Sequence, residues 1–183
     1  MRKSTRIVLT VAVAAAALGA GSYLQLTRFS VDPPATGAPA ALTRMTLPDL
    51  TGKPVTLAAW PDKVLVINFW ATWCTPCRRE IPGLINIQTK HAANGVQVVG
   101  IAVDQVDKVR EYAKEIGINY PLLIAGMEGA SLTRELGNKS GALPFTVVLN
   151  RDGTLLKSHL GLITEEELQD LLRPLLANSA KSG

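Results

Sequence analysis

The 183-residue chain contains only two cysteines and two histidines, and this scarcity excludes several classes of protein. Two cysteines are too few for a disulfide-dense scaffold or for a zinc site built from four cysteines. The folded part also lacks excess charge. Four of the 19 basic residues precede position 29, and the other fifteen equal the 15 acidic residues in number. This balance argues against the basic patch of a nucleic-acid-binding domain. The composition of the whole chain, 47% hydrophobic and 19% charged, is typical of a globular protein.

The basicity belongs to the N-terminus, where three basic residues precede an uncharged stretch from Ile7 to Leu26. An apolar helix of that length spans a hydrocarbon core of about 30 Å. Basic residues before it orient the chain with its N-terminus in the cytoplasm. We therefore expect residues 1–28 to be an uncleaved signal-anchor, with the rest on the periplasmic side of the bacterial inner membrane. A signal peptide cleaved after Ala20 is the alternative, and it would also export the domain.

The remaining chain divides into a linker, one domain and a short tail. Residues 29–41 are rich in proline and alanine and predict a flexible or extended linker. We expect a single folded domain over residues 42–178 and a tail over residues 179–183. Segments typical of buried strands alternate with segments of helical periodicity in the domain, which predicts an α/β fold with a mixed central sheet flanked by helices.

Apolar patterning and turn signals predict the individual elements. The strands are expected at 43–47, 54–57, 64–70, 96–103, 121–125, 145–149 and 154–159, of which the first two form a β-hairpin. The helices are expected at 75–93, 106–116 and 130–136, with a last one opened by a capping box between Thr164 and Glu167.

A Cys-X-X-Cys pair, Cys74 and Cys77, follows the predicted strand 64–70 and opens the next helix. In this position the pair indicates a redox-active dithiol. The unpaired N–H groups and the positive dipole end of a helix N-terminus favour a thiolate, which is the attacking species. We expect Cys74 to be exposed and nucleophilic and Cys77 to be more buried and resolving. Pro76 suits the first helical turn, where its missing N–H is harmless.

Two other interpretations of the pair receive less support from the sequence. Half of a metal site would need further ligands, but there is no second cysteine pair, and the histidines, His91 and His159, are distant in sequence. A purely structural disulfide between such near neighbours closes too small a loop to stabilise the fold much.

The stretch VLVINFWATWCTPCRREIPGL, residues 64–84, resembles the active-site region of thioredoxins. With Glu80-Ile81-Pro82 it is most similar to the membrane-anchored TlpA/ResA-like thiol–disulfide oxidoreductases. Residues 100–124 resemble the extra strand–helix segment that this branch inserts into the thioredoxin fold. Residues 141–146 resemble its cis-proline segment. The resemblance extends over residues 42–176 and implies a thioredoxin-like fold with an N-terminal β-hairpin and a β-α insertion.

The same resemblance implies roles for seven residues. The catalytic residues would be Cys74, Cys77 and Glu80, with Glu80 moving protons to and from the thiols. The residues that position the substrate would be Trp73, Thr75, Pro76 and a cis Pro144.

Asn68 stands where most cytoplasmic thioredoxins have a carboxylate, so Glu80 is expected to take over the handling of protons. We interpret Asn68 itself as a hydrogen-bonding core residue, Trp70 as core and Trp73 as an exposed rim. No cofactor is implied beyond a redox-active disulfide between Cys74 and Cys77.

The function implied by the resemblance is the reduction of protein disulfides outside the cytoplasm. Clients would be apocytochrome c or copper-site proteins, and a membrane thiol electron donor would re-reduce the dithiol. One alternative is a thiol oxidase of the same fold. Another is a copper-binding assembly factor, for which His159 would be the candidate third ligand.

The N-terminal assignment leads to a first prediction. Mass spectrometry of protein extracted from native membranes should find residues 1–28 intact, because the 20-residue span is uncharged and three basic residues precede it. A mature N-terminus near Gly21 would contradict the anchor and leave a soluble exported domain.

Overall fold

The computed structural model describes residues 38–126 and 129–179. Its helices are α1 Ala38–Arg44, α2 Thr75–His91, α3 Val106–Ile116, α4 Gly129–Glu135 and α5 Glu165–Ser179. Its strands are β1 Thr46–Pro48, β2 Pro54–Thr56, β3 Val64–Trp70, β4 Val96–Ala102, β5 Leu122–Ile124, β6 Phe145–Leu149 and β7 Leu155–Leu160. Single 3₁₀ turns lie at Leu57–Ala59 and Ala92–Asn94.

Five of these strands form one mixed sheet in the order β5-β4-β3-β6-β7. The three strands β3, β4 and β5 run parallel, whereas β6 is antiparallel to β3 and β7 is antiparallel to β6. This arrangement confirms the predicted mixed sheet. Strand β3 lies at its centre, and all seven of its residues are buried, as expected for a strand covered on both faces.

Alternate side chains of β3 point to opposite faces of the sheet and into two separate cores. On one face Val64, Val66 and Trp70 pack with residues of α2, α3 and α5. On the other face Leu65, Ile67 and Phe69 pack with Leu42, Leu57 and Leu136 and with apolar residues of β6. The helix that begins at the cysteine pair therefore lies on the same side of the sheet as the even-numbered positions of β3.

The predicted N-terminal hairpin is present as β1 and β2, a separate two-stranded antiparallel sheet. Asp49 organises its turn, because one carboxylate oxygen accepts hydrogen bonds from the backbone N–H groups of Thr51 and Lys53 at 2.7 and 3.0 Å. A backbone bridge between Asp49 and Leu123 attaches the hairpin to the edge strand β5.

The expectation of a linker reaching residue 41 and a strand beginning at residue 43 is wrong, because helix α1 occupies Ala38–Arg44. Alanine has the highest helix propensity, and proline is tolerated in a first turn. Leu42 anchors this short helix, since its side chain is only 2% exposed within the second core. The proline and alanine content that indicated a linker is thus compatible with a docked helix of about two turns.

The predicted membrane segment Ile7–Leu26 lies outside the described residues, as do residues 180–183 of the predicted tail and residues 29–37 of the predicted linker. Among the helices of the described ranges, none has both the length and the apolar character needed to cross a membrane.

Candidate active site

The cysteine pair lies where β3 leaves the sheet and α2 begins. Cys74 is the N-cap of α2 with an extended backbone, and Pro76 occupies the first turn, as predicted. Cys74 and Cys77 form a disulfide with their Cα atoms 5.3 Å apart. The Cys74 Sγ atom also accepts a hydrogen bond from the backbone N–H of Cys77 at 3.3 Å. A thiolate on Cys74 would meet this donor and the positive end of the helix dipole.

The two cysteines differ in accessibility in the predicted order, but by less than expected. Cys77 is fully buried, and Cys74 is 5% exposed, so Cys74 is nearly enclosed rather than an open thiol. The exposed positions around it are Trp73, which is 64% exposed, and Thr75. The prediction of a freely exposed Cys74 is therefore wrong for the disulfide form, whereas that of an exposed Trp73 is confirmed.

Glu80 lies one helical turn after Cys77 and points inward, with only 4% of the residue exposed. Its Oε1 accepts a hydrogen bond from Asn68 Nδ2 at 2.7 Å, and its Oε2 accepts one from the backbone N–H of Ile163 at 3.1 Å. Burial raises the pKa of Glu80 to about 7, although the hydrogen bonds from Ile163 and Asn68 act in the opposite direction. Glu80 is thus a carboxyl group that can hold or release a proton near neutral pH.

Asn68 connects Glu80 to the strand that follows the predicted cis-proline. Its Nδ2 donates a second hydrogen bond to Thr146 Oγ1 at 3.1 Å, and both residues are buried.

The Leu143–Pro144 peptide bond is cis, as predicted. Phe145 pairs with Phe69 in the sheet, so Pro144 lies just before the start of β6, beside the end of β3. The proline and the cysteine pair therefore share one edge of the sheet.

Asp104 fixes the loop that carries Trp73. Its Oδ2 accepts hydrogen bonds from the Thr72 backbone N–H at 3.0 Å and from the Thr72 hydroxyl at 2.6 Å, and its Oδ1 accepts one from the Gln105 N–H at 2.7 Å. Burial raises the pKa of Asp104, but these hydrogen bonds hold that pKa below its ordinary value. A groove of about 280 Å³ lies beside this loop, lined by Trp73, Val103, Asp104, Gln105, Lys108 and Gly126.

Sequence reasoning missed the partners of Glu80 and the role of Asp104. For Asp104 a signal existed, because Thr72 and Asp104 each come two residues after parallel neighbouring strands, whose carboxyl ends meet at one edge. The Ile163 N–H had no such signal, since it lies 83 residues from Glu80.

His159, the candidate ligand of the copper-binding alternative, is half-buried, and its Nε2 is 3.2 Å from the Leu162 carbonyl oxygen. Within residues 38–126 and 129–179 no group of three or more His, Cys, Asp or Glu side chains is arranged to hold a metal ion.

The two cysteines form a disulfide at the N-terminus of a helix that follows the central buried strand, and they share a sheet edge with a cis-proline. These features define the class of thiol–disulfide oxidoreductases with a thioredoxin-like fold. The sequence profile of the Redoxin family matches residues 34–172, and the chain belongs to this family.

Curated relatives carry the same activity. The thiol-disulfide oxidoreductase ResA of Bacillus cereus is 30% identical over 129 residues, which cover 69% of this chain and 72% of the relative. The ResA protein of Geobacillus kaustophilus is 26% identical over 170 residues, which cover 92% of this chain and 95% of the relative. The chain is accordingly a thiol–disulfide oxidoreductase, as predicted.

Solved structures agree with this assignment. A thiol:disulfide interchange protein of the thioredoxin family from Chlorobium tepidum is 28% identical with a TM-score of 0.66, and the match covers 80% of this chain and 99% of that one. A secreted thiol-disulfide isomerase from Corynebacterium glutamicum is also 28% identical with a TM-score of 0.66, covering 74% and 85%. The predicted thioredoxin-like fold is confirmed.

The burial of Glu80 predicts a pH-dependent stability. The pKa of Glu80 rises from 4.5 to about 7 on folding, so the folded protein holds this proton more tightly. The resulting stabilisation is complete below pH 4.5 and is lost as the pH rises through about 7, by on the order of 3 kcal/mol in total. Glu80→Gln should abolish this component.

Urea unfolding of the oxidised wild-type and Glu80→Gln proteins at about pH 4.5 and about pH 8 measures it. Between these two pH values the free energy of unfolding of the wild type should fall by about 3 kcal/mol relative to that of the variant. An equal free-energy difference between the two proteins at both pH values would show that Glu80 titrates normally.

Proposed function

We propose that the chain reduces protein disulfides outside the cytoplasm, with Cys74 as nucleophile, Cys77 as resolving thiol and Glu80 as their proton carrier. The observation that carries this proposal is a buried carboxyl group with a pKa of about 7, one helical turn beyond a cysteine pair at a helix N-terminus. Such a group is suited to general acid–base catalysis at neutral pH.

The reaction begins with the reduced dithiol. The Cys74 thiolate attacks one sulfur of the client disulfide, so a Cys74–client bond forms while the client bond breaks and its second sulfur leaves as a thiolate. Cys77 then loses its proton and attacks Cys74 Sγ, which releases the first client sulfur. The client gains two electrons and leaves as two thiolates, which take up protons from water, and the chain ends as the Cys74–Cys77 disulfide seen in the structure.

Glu80 serves the second step. Cys77 is fully buried, so its proton needs an acceptor inside the protein. Cys77 and Glu80 are three residues apart on one helix and both face the sheet, which brings their side chains together. Glu80 receives the proton as the carboxylate and returns it when the dithiol is re-reduced. Cys74, Cys77 and Glu80 therefore titrate as a coupled set.

The positioning of the client falls to the rim of the site. Trp73 offers an exposed apolar surface next to Cys74. Thr75 and Pro76 form the turn between the cysteines, and the cis Pro144 lies at the same sheet edge. A client segment passing between Trp73 and the Pro144 segment would bring its disulfide to Cys74.

The reductive direction follows from the motif. Strong thiol oxidases stabilise their thiolate to a pKa of about 3.5, against about 7 for thioredoxin-type pairs. Between Cys74 and Cys77 this chain has Thr75 and Pro76, which carry no charge, and the helix N-terminus supplies the stabilisation. A less stabilised thiolate favours the disulfide, so the pair gives up its electrons more readily.

The location and the clients rest on the sequence and on the relatives. The uncharged segment Ile7–Leu26 supports an anchor in the inner membrane with the domain on the periplasmic side. The similar isomerase from Corynebacterium glutamicum is described as secreted. We propose apocytochrome c or copper-site proteins as clients and a membrane thiol carrier as the electron donor.

A Cys77→Ser variant should accumulate a mixed disulfide with its client, because the bond to Cys74 can no longer be resolved. Expression of this variant in the native organism, followed by non-reducing electrophoresis and mass spectrometry, identifies the partner. The matched Cys74→Ser variant should capture none. Equal capture by both variants would contradict the assigned order of attack.

Direction and proton transfer are tested on the purified protein. Its reduction potential should be about −270 mV, and a value of about −120 mV, as in strong oxidases, would reverse the assigned direction.

Glu80→Gln should slow reduction of a protein disulfide at neutral pH by roughly 10²-fold, the usual contribution of a general acid–base group. Glu166→Gln, on the exposed face of α5, is the matched control and should react as the wild type. An unchanged rate in Glu80→Gln would remove Glu80 from the mechanism.

A further inference from the structure

We propose that Asn68 is a positioning residue whose side-chain amide rotates to partner Glu80 in both protonation states, donating to the carboxylate and accepting from the carboxylic acid. This inference rests on the proposed role of Glu80. It concerns a residue that the mechanism above does not require.

The hydrogen bonds around Glu80 suit only its charged form. Asn68 Nδ2 donates to Oε1 and the Ile163 N–H donates to Oε2, and neither nitrogen can accept a hydrogen bond. A protonated Glu80 would therefore hold a buried O–H without an acceptor in this arrangement. Leaving such a group unsatisfied inside the protein is energetically unfavourable.

Asn68 carries the missing acceptor on the same side chain. Its Oδ1 is buried and has no hydrogen-bond partner among the described residues. A half-turn about the terminal torsion exchanges Oδ1 and Nδ2, which places the oxygen toward Glu80. An aspartate at this position would add a second charge, and a leucine would offer neither donor nor acceptor.

Thr146 permits both orientations. In the structure its hydroxyl oxygen accepts from Asn68 Nδ2 at 3.1 Å. A hydroxyl also donates, so after the half-turn Thr146 can donate to Oδ1. Asn68 pairs with Thr146 across β3 and β6, which holds the two side chains on the same face of the sheet. The amide thus keeps its Thr146 partner whichever way it faces Glu80.

Other titratable groups surround this network and belong in its analysis. They are Cys74 and Cys77 on α2, Tyr112 on α3, Tyr120 before β5, and His159 on β7 opposite Thr146. Burial and the neighbouring Glu80 carboxylate hold the pKa of Tyr120 well above its usual range, so its phenol stays neutral. In the oxidised protein the cysteines do not titrate. That form therefore isolates the Glu80 titration from the thiols.

The test follows Glu80 directly by infrared spectroscopy of the oxidised full-length protein, with its carboxyl band assigned by loss in Glu80→Gln. Asn68→Leu should raise the midpoint of the Glu80 titration by less than about one pH unit, or less than roughly tenfold in proton binding, because the carboxylate loses a charge-assisted donor while the acid loses its acceptor. The C=O band of the protonated acid should also shift to higher frequency, because its O–H loses its acceptor.

Thr146→Val provides a second, nearly isosteric variant in case the Asn68 substitution prevents folding. It should shift the C=O band of the protonated acid in the same direction by a smaller amount, since the rotated amide loses the hydroxyl that donates to Oδ1, whereas Thr146→Ser should leave the band unchanged. A wild-type band position in Asn68→Leu or, failing its folding, in Thr146→Val would overturn the proposal. The rate of Glu80→Gln tests the mechanism separately, so the two failures are distinguishable.

Discussion

The buried carboxyl group of Glu80 is the constraint on which the architecture of the site depends. A carboxylate removed from water is tolerated only where hydrogen bonds replace its solvation. Here the donors come from Asn68 on the central strand and from Ile163 just before the last helix. One side chain therefore ties α2 to the sheet and to the segment leading into α5, and it does so one turn from the resolving cysteine.

The central strand converts this local tie into a site. Strand β3 is parallel to β4 and antiparallel to β6, so the ends of β3 and β4 and the start of β6 meet at a single edge. The cysteine pair, Asp104 and Pro144 occupy that edge. Asp104 holds the loop before Cys74 through Thr72, while Thr146 approaches from the strand after the proline. The redox pair is thereby placed between two segments that are fixed by hydrogen bonds.

Short-range features of the fold were predictable because their causes lie within a few residues. The bounds of β3 and α3 match those predicted, since a continuous apolar run and a helical stripe are local patterns. The capping box of Thr164 and Glu167 forms as expected. Helix α1 was missed because its stability depends on Leu42 entering a core formed by distant strands, which composition cannot reveal.

The redox chemistry can be derived from the sequence alone. Two cysteines at the start of a helix after an apolar strand specify a redox dithiol, and the resemblance of the surrounding residues identifies Glu80 and the cis Pro144 as candidates. The acidity of Glu80 and the identity of its hydrogen-bond partners, in contrast, emerge only from the folded protein. The pKa of a carboxyl group depends on burial and on donors that fold against it, and Thr146 and Ile163 lie 66 and 83 residues away from Glu80 in the chain. Such partners meet only when the sheet and its helices pack, because no local pattern encodes a distance across a core.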